Sequence, residues 1–269
     1  MSFETIETRM DKYVAVITLN RPDVLNAVNA KLTEEVKQAM DGFGADPKVR
    51  AIVLNGAGRA FSAGFDMKET AEKTNVGINE WQEILERDFD FIMRFWDCPK
   101  PTVAAVHGYC LAGAFELALA CDVTVAAEGT RFGEPEVRFG AGIVAMLLPW
   151  MTGPKQAKEL LLTGNDQIDA ADALAMGVIN HVVPAGEEFD KAMSIAKDMS
   201  AAAAAAVQAT KRAINRTYEI MGMRQALLAA LESDLVITVA GGPDKDEFNR
   251  LRRDKGLKAA LAWRDAKFR

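Results

Sequence analysis

Two loops of small residues, the second ending at Glu116, are the parts of this sequence whose types and spacing can do chemistry. The first loop, Ala60-Phe-Ser-Ala-Gly-Phe-Asp66, follows the apolar run Ala51-Ile-Val-Leu54. The second, His107-Gly-Tyr-Cys-Leu-Ala-Gly-Ala-Phe-Glu116, follows Thr102-Val-Ala-Ala-Val106. Small side chains let a ligand approach the main chain, and amides at a helix start point outward and favour negative charge. Two such loops side by side could aim two N–H donors at one oxygen, which is what an oxyanion hole requires. From spacing alone, a pair of ordinary strand-to-helix turns is the simpler reading. Glu116 ends the second loop, where a carboxylate can act as a base or simply complement a helix N-terminus. Glu136 follows the turn Gly133-Glu-Pro135.

Other chemistries find less support. His107 could pair with Ser62 or Cys110 in a hydrolase, but no GxSxG elbow is present. A structural role for His107 is the expectation, and His181 reads as a strand-edge residue. Three cysteines, Cys98, Cys110 and Cys121, form no CxxC pair, and there are two histidines. A disulfide framework, a structural zinc site and a multi-histidine metal site are not expected.

The chain of 269 residues suits one large domain, or one domain with a helical annex. Hydrophobic residues make up 49% and charged residues 26%, a globular composition. The net charge of −6 argues against a general nucleic-acid binder. It leaves room for an anionic small ligand at a local basic patch. Such a patch exists at Arg250, Arg252, Arg253, Lys255, Lys258, Arg264, Lys267 and Arg269, although a solvated helix face is the simpler reading. No run is apolar enough to span a bilayer, and the N-terminus resembles neither a signal peptide nor a transit sequence, so a cytoplasmic protein with no membrane partner is expected.

The elements that must hold the loops are legible. Tyr13 to Leu19, Ala51 to Leu54, Thr102 to Val106 and Val123 to Ala126 read as apolar strands, in that order. Leu32 to Phe43 and Trp81 to Trp96 carry helical periodicity, and Phe115 to Ala120 begins a third helix. Strands alternating with helices predict α/β units and a largely parallel sheet. Beyond about residue 153 helices dominate, at Lys155 to Leu162, Ala170 to Met176 and Phe189 to Ile237, with one short strand near Asn180 to Val183. The alanine run Ala201 to Ala206 predicts a continuous, tightly packed helix.

Six stretches in order together resemble the crotonase, or enoyl-CoA hydratase/isomerase, family. They are Leu19-Asn-Arg-Pro22 with Leu25-Asn-Ala27, Phe61-Ser-Ala-Gly-Phe-Asp-Met-Lys68, Lys100-Pro-Thr-Val-Ala-Ala-Val-His-Gly108, Glu116-Leu-Ala-Leu-Ala-Cys-Asp122, Phe132-Gly-Glu-Pro-Glu136 and Leu162-Thr-Gly164. The ending Trp263-Arg-Asp-Ala-Lys-Phe268 is similar too. The resemblance implies an α/β fold, a spiral of ββα/βαβ units with a helical C-terminal trimerisation region. It places an acyl-CoA site in residues 1–190 and oligomerisation and site closure in residues 191–269. It puts the oxyanion donors on the N–H groups of Phe65 and Gly113 and the catalytic pair on Glu116 and Glu136. Glu116 would activate water and Glu136 would exchange the proton at the α-carbon. Substrate contacts fall on Leu25, Ala27, Ala63, Asp66, Met67 and Tyr109. Glu134 sits at a position that varies in the family, and a surface or supporting place is expected for it.

The implied activity is reversible syn addition of water to a 2-enoyl-CoA, with no metal or redox cofactor, in a homotrimer or hexamer. Alternatives on the same resemblance are an isomerase using Glu136, an acyl-CoA thioester hydrolase and a non-catalytic acyl-CoA-binding subunit. Three departures from the family pattern stand out. Ala112 and Ala114 flank Gly113 where glycines are usual, Phe65 replaces an alanine, and the loop after Glu136 is about three residues short.

Overall fold

The computed structural model describes residues 3–72 and 76–268. Its first elements are β1 (Ile6–Asp11), β2 (Val14–Leu19), α1 (Ala30–Ala45), β3 (Ala51–Gly56), α2 (Met67–Glu72) and α3 (Ile78–Asp97). Next come β4 (Thr102–Val106), β5 (Tyr109–Leu111), α4 (Gly113–Ala120), β6 (Val123–Ala127) and β7 (Arg131–Gly133). A short helix α5 (Leu148–Met151), then α6 (Pro154–Thr163), β8 (Ile168–Asp169), α7 (Ala170–Ala175) and β9 (His181–Val183) lead into the C-terminal helices. These are α8 (Glu188–Ala201), α9 (Ala204–Ile220), α10 (Met223–Ala240), α11 (Pro243–Lys255) and α12 (Leu257–Asp265).

The main sheet runs β1-β2-β3-β4-β6-β9 and is parallel except for the β1–β2 hairpin. It is covered on both faces, which is why its inner strands read as unbroken apolar runs. Val14, Val16, Val53, Val103 and Val125 pack against Ala192, Met193 and Ala196 of α8. The alternate residues Ala15, Ile17, Leu19, Ile52 and Leu54 face the larger core with α1 and α3. A second sheet, β5-β7-β8, gains a bridge from Ser62 to Cys110 of β5, and a separate bridge joins Val28 to Phe65.

The structure departs from the sequence expectations in three places. Strand β1 precedes the run taken as the first strand; only its first residue is buried, so it carries no apolar alternation. The expected division at residue 190 falls inside α8, which packs on the sheet. The alanine run is not one helix: α8 ends at Ala201, Ala202 and Ala203 are extended, and α9 begins at Ala204. Tertiary tethering overrides propensity here. While α8 is tied to the sheet, α9 is anchored by Lys211, whose Nζ meets Asp122 at 2.7 Å and donates to Phe95 O and Lys100 O at 3.1 Å.

Candidate active site

The first loop is shaped by a single buried amide. Asn26 adopts a positive φ of 52° and donates through Nδ2 to Ala57 O, Ala60 O and Phe61 O at 2.9, 2.8 and 3.1 Å. Ser62 Oγ donates to Asn26 O at 2.8 Å and accepts from Gly64 N–H at 3.2 Å. Val28 N–H donates to Gly64 O and Asp66 N–H donates to Val28 O. The peptide between those two bridges turns the other way, and Phe65 N–H has no acceptor among the described residues. In the second loop Ala112 N–H donates to Gly133 O at 2.8 Å, and helix α4 starts one residue on. As the first residue of that helix, Gly113 presents an N–H with no acceptor among the described residues.

The two loops touch where these N–H groups lie. A Cβ on Gly64, whose φ is +86°, would fall 2.8 Å from both Ala112 Cβ and Leu111 O. A Cβ on Gly113 would fall 2.3 Å from the Phe65 ring. The phenylalanine that replaces the family's usual alanine therefore lies over Gly113, and its edge meets Phe91 at 6.4 Å between centroids. Ala112 has φ 57° and ψ −139°, a conformation suited to glycine. Such a residue stores about 1–3 kcal/mol of strain. Ala112→Gly is expected to raise the thermal midpoint by about 2–4 °C, the shift that ~1 kcal/mol gives a protein near this size. An unchanged or lower midpoint in calorimetry contradicts that reading.

The carboxyl groups converge from separate elements. Glu116, in the first turn of α4, is 1% exposed; its Oε2 accepts from Ala145 N–H at 3.1 Å, and its Oε1 has no partner among the described residues. Burial, and then the charge of Glu136, push its proton affinity well above the ordinary carboxylate value. Glu136 opens a 3₁₀ turn, Glu136–Phe139, after Pro135. Burial is the main cause that pushes Glu136 up to about 8, against a backbone N–H and a hydrogen bond from Glu134 that pull the other way. Glu134 is 1% exposed, which excludes the surface place and leaves the supporting one of the two expected for it. The segment at Asn165 covers β7, and Glu134 N–H donates to Asn165 O at 3.1 Å.

A proton held by Glu136 up to about 8 is one that the unfolded chain releases near 4.5. Its contribution to stability is full below about 4.5 and is lost as pH rises toward about 8. The thermal midpoint of the ligand-free protein is expected to fall across that window, and less steeply in Glu136→Gln. A wild-type midpoint that rises there contradicts the burial of a protonated Glu136.

All ten sequence-derived site residues line one cavity of about 850 Å³: Leu25, Ala27, Ala63, Phe65, Asp66, Met67, Tyr109, Gly113, Glu116 and Glu136. Its apolar wall comes from Trp81, Ile84 and Leu85 of α3, Val144, and Phe248, Leu257 and Leu261 of the C-terminal helices. Phe139 stacks on Phe248 at 5.5 Å, so α11 closes over the loop that follows Glu136. Sequence reading missed Asp234 of α10. It is 3% exposed, accepts from Gly142 N–H at 3.0 Å and Thr238 Oγ1 at 3.1 Å, and is pushed up by burial. Asp88, 6% exposed and paired with Arg87 at 2.7 Å, also lines the cavity and was missed. Neither carries a local sequence signal.

The basic C-terminal run divides. Arg250 is a surface residue paired with Glu247 and Asp254, and Lys255 and Lys258 are exposed. Lys267 is also exposed and pairs with Asp244. Arg252, Arg253 and Arg264 instead line the cavity, with Arg252 donating to Met67 O at 2.7 Å and Arg264 bridging Asp166 at 3.1 Å. Arg269 lies outside the described residues. The hydrolase grouping is not assembled: the His107 ring meets Gly58 O at 3.0 Å and Glu188 at 3.6 Å, while Ser62 bonds Asn26. Burial pushes the Cys110 thiol well up, away from the nucleophilic thiolate.

Two strand-to-helix loops with acceptor-free N–H groups at Phe65 and Gly113 line one cavity with two buried glutamates, in the crotonase fold. A crystal structure of an enoyl-CoA hydratase/isomerase from Xanthobacter autotrophicus Py2 has a TM-score of 0.98 and 50% identity, with all of both chains covered. A Mycobacterium bovis protein named as a probable enoyl-CoA hydratase is 37% identical over 81% of this chain and 84% of its own. The crotonyl-CoA hydratase of Syntrophomonas wolfei is 34% identical over 80% of this chain and 83% of its own. The pattern of the enoyl-CoA hydratase/isomerase family matches residues 9–239. The chain belongs to the enoyl-CoA hydratase/isomerase family.

Proposed function

We propose that the chain is an enoyl-CoA hydratase and that Glu116 and Glu136 carry the reaction. The observation that carries this is the pair of acceptor-free N–H groups, Phe65 and Gly113, in the same cavity as two buried glutamates. The thioester oxygen accepts from both N–H groups, and they stabilise the negative charge it gains as the enolate forms. Donors already oriented and shielded from water can each contribute about 3–4 kcal/mol. Glu116 takes a proton from water as the oxygen adds to the β-carbon, and Glu136 gives its proton to the α-carbon. The sum is one water added across the double bond, with one proton gained by Glu116 and one lost by Glu136. Burial raises the proton affinity of both carboxyls and repulsion lets only one of them ionise; the reading takes Glu116, whose Oε2 accepts from Ala145 N–H, as the ionised one. The short loop after Glu136 still supports the hydratase reading, since its Ala145 N–H holds Glu116.

The reading uses no metal or redox group, so a chelator is expected to leave turnover unchanged. Crotonyl-CoA is the first substrate to try. Loss of conjugated absorbance without free thiol supports hydration. Thiol release supports hydrolysis instead; intact ester with undiminished absorbance points to an unused double bond, and deconjugated ester that has gained no water by mass points to a shifted one.

The oligomer is part of the same proposal. Ile220 at the end of α9, Met221 just after it and Val236 on α10 are 75%, 63% and 66% exposed, an apolar cost in a lone chain. They support a trimer or a hexamer built through residues 191–269, with a mass about three or six times 29.2 kDa. No single helix among the described residues is long and apolar enough to cross a membrane. The proposal places the enzyme in the cytoplasm.

A further inference from the structure

Glu134 is a third buried glutamate beside the pair, and it does not line the cavity. Its carboxyl hydrogen-bonds to that of Glu136. Glu134 Oε2 and Glu136 Oε2 are both fully buried, and neither receives a donor from another described residue. A carboxyl can bond a carboxylate only through a proton, so one of the two is an acid. We propose that Glu134 is a positioning residue: its O–H, donated to the Glu136 carboxylate, holds Glu136 in place and decides how readily it releases its proton to substrate. This rests on the reading of Glu136 as the group that exchanges the α-proton.

The surroundings leave this proton no competitor. Glu136 interacts electrostatically with Glu116 of α4, Asp234 of α10 and the Arg264 guanidinium of α12, and Glu134 with Glu116 and the Cys110 thiol of β5. Arg264 is committed to Asp166, and Lys245, packed over Gly140, donates to Thr238 O at 3.0 Å. Among the described residues no cation is bonded to either glutamate. The carboxylates nearby all disfavour a second negative charge, which keeps Glu134 protonated. When Glu136 takes the α-proton both groups are neutral. When it gives that proton up, the charge left behind is held by the Glu134 O–H. Glu134 keeps its own proton throughout and touches no substrate. Sharing of this kind between adjacent carboxyls is familiar where like charges cannot both ionise.

The test is an infrared pH titration of the ligand-free protein, with the Glu136 carboxyl band assigned by difference from Glu136→Gln. In Glu134→Gln the amide still donates, and Glu136 is expected to titrate within about half a pH unit of wild type. In Glu134→Leu the donor is gone, and the titration is expected to rise by about one to two pH units, the scale of a hydrogen bond to an ionised group. Glu134→Met replaces the leucine variant if that variant does not fold. The alkaline limb of kcat/KM for crotonyl-CoA should move with the band. Equal titration in wild type and both variants overturns the proposal, as does a glutamine shift as large as the apolar one. The infrared arm needs no turnover, so it decides the proposal even if wild type does not hydrate crotonyl-CoA, an outcome that would sink the hydratase reading instead.

Discussion

Glu136→Gln is expected to lower kcat for a 2-enoyl-CoA by about 10²- to 10⁴-fold, the contribution of a positioned acid–base group. Binding of an unreactive acyl-CoA should change little. The reason is electrostatic. Glu136 is buried and holds its proton up to about 8, so near neutrality the ligand-free site mostly carries a neutral carboxyl there. A neutral amide of the same shape preserves packing, charge and the hydrogen bond from Glu134. What it lacks is a proton to give to the α-carbon. Single-turnover kinetics and calorimetric titration separate the two effects. A variant that keeps more than about a tenth of wild-type kcat takes Glu136 out of the proton step.

The second large effect is expected at Gly113. Gly113→Ala places a methyl group where the Phe65 ring lies, at 2.3 Å. Either the ring moves or the first turn of α4 does, and that turn carries both the Gly113 N–H and Glu116. Removal of one oxyanion donor costs about 10²- to 10³-fold in kcat, and a displaced donor should approach the lower figure. The strain should be relieved by Phe65→Ala, which removes the ring but keeps the Phe65 backbone donor. The double variant is therefore expected to recover most of the lost rate, a coupling that two separate sites would not show. If the double variant is as slow as Gly113→Ala alone, the ring is not what forbids a side chain at Gly113.

How far the sequence reveals this site depends on how local each signal is. The loops around Phe65 and Gly113 are legible because apolar strands and small residues mark them directly. The strands β2, β3, β4 and β6 are legible because burial on both faces makes them continuous apolar runs. Strand β1 is hidden because most of its side chains are exposed or half-buried. The break between Ala201 and Ala204 is hidden because alanine favours helix on both sides, and the contacts that go with it, α8 on the sheet and Lys211 of α9 on Asp122 and Phe95 O, join distant parts of the chain. Asp234 meets Gly142 across 92 positions of sequence, so no spacing rule brings them together. Glu134 looks like a turn residue by type. Its burial comes from the Asn165 segment that packs over β7, a contact between distant parts of the chain. The basic C-terminal run shows both outcomes side by side: Arg250 is the surface residue its helix suggests, whereas Arg264 is buried against Asp166.

In the proposed reaction the thioester enolate is held by Phe65 and Gly113 and protonated at its α-carbon by Glu136. Turnover of crotonyl-CoA in deuterated water, followed by mass and NMR analysis of the product at early times, tests it most directly. An intact CoA ester with a hydroxyl on the β-carbon and one deuteron on the α-carbon is expected. Liberated CoA thiol, or unchanged crotonyl-CoA recovered from active-site-saturating enzyme, contradicts it.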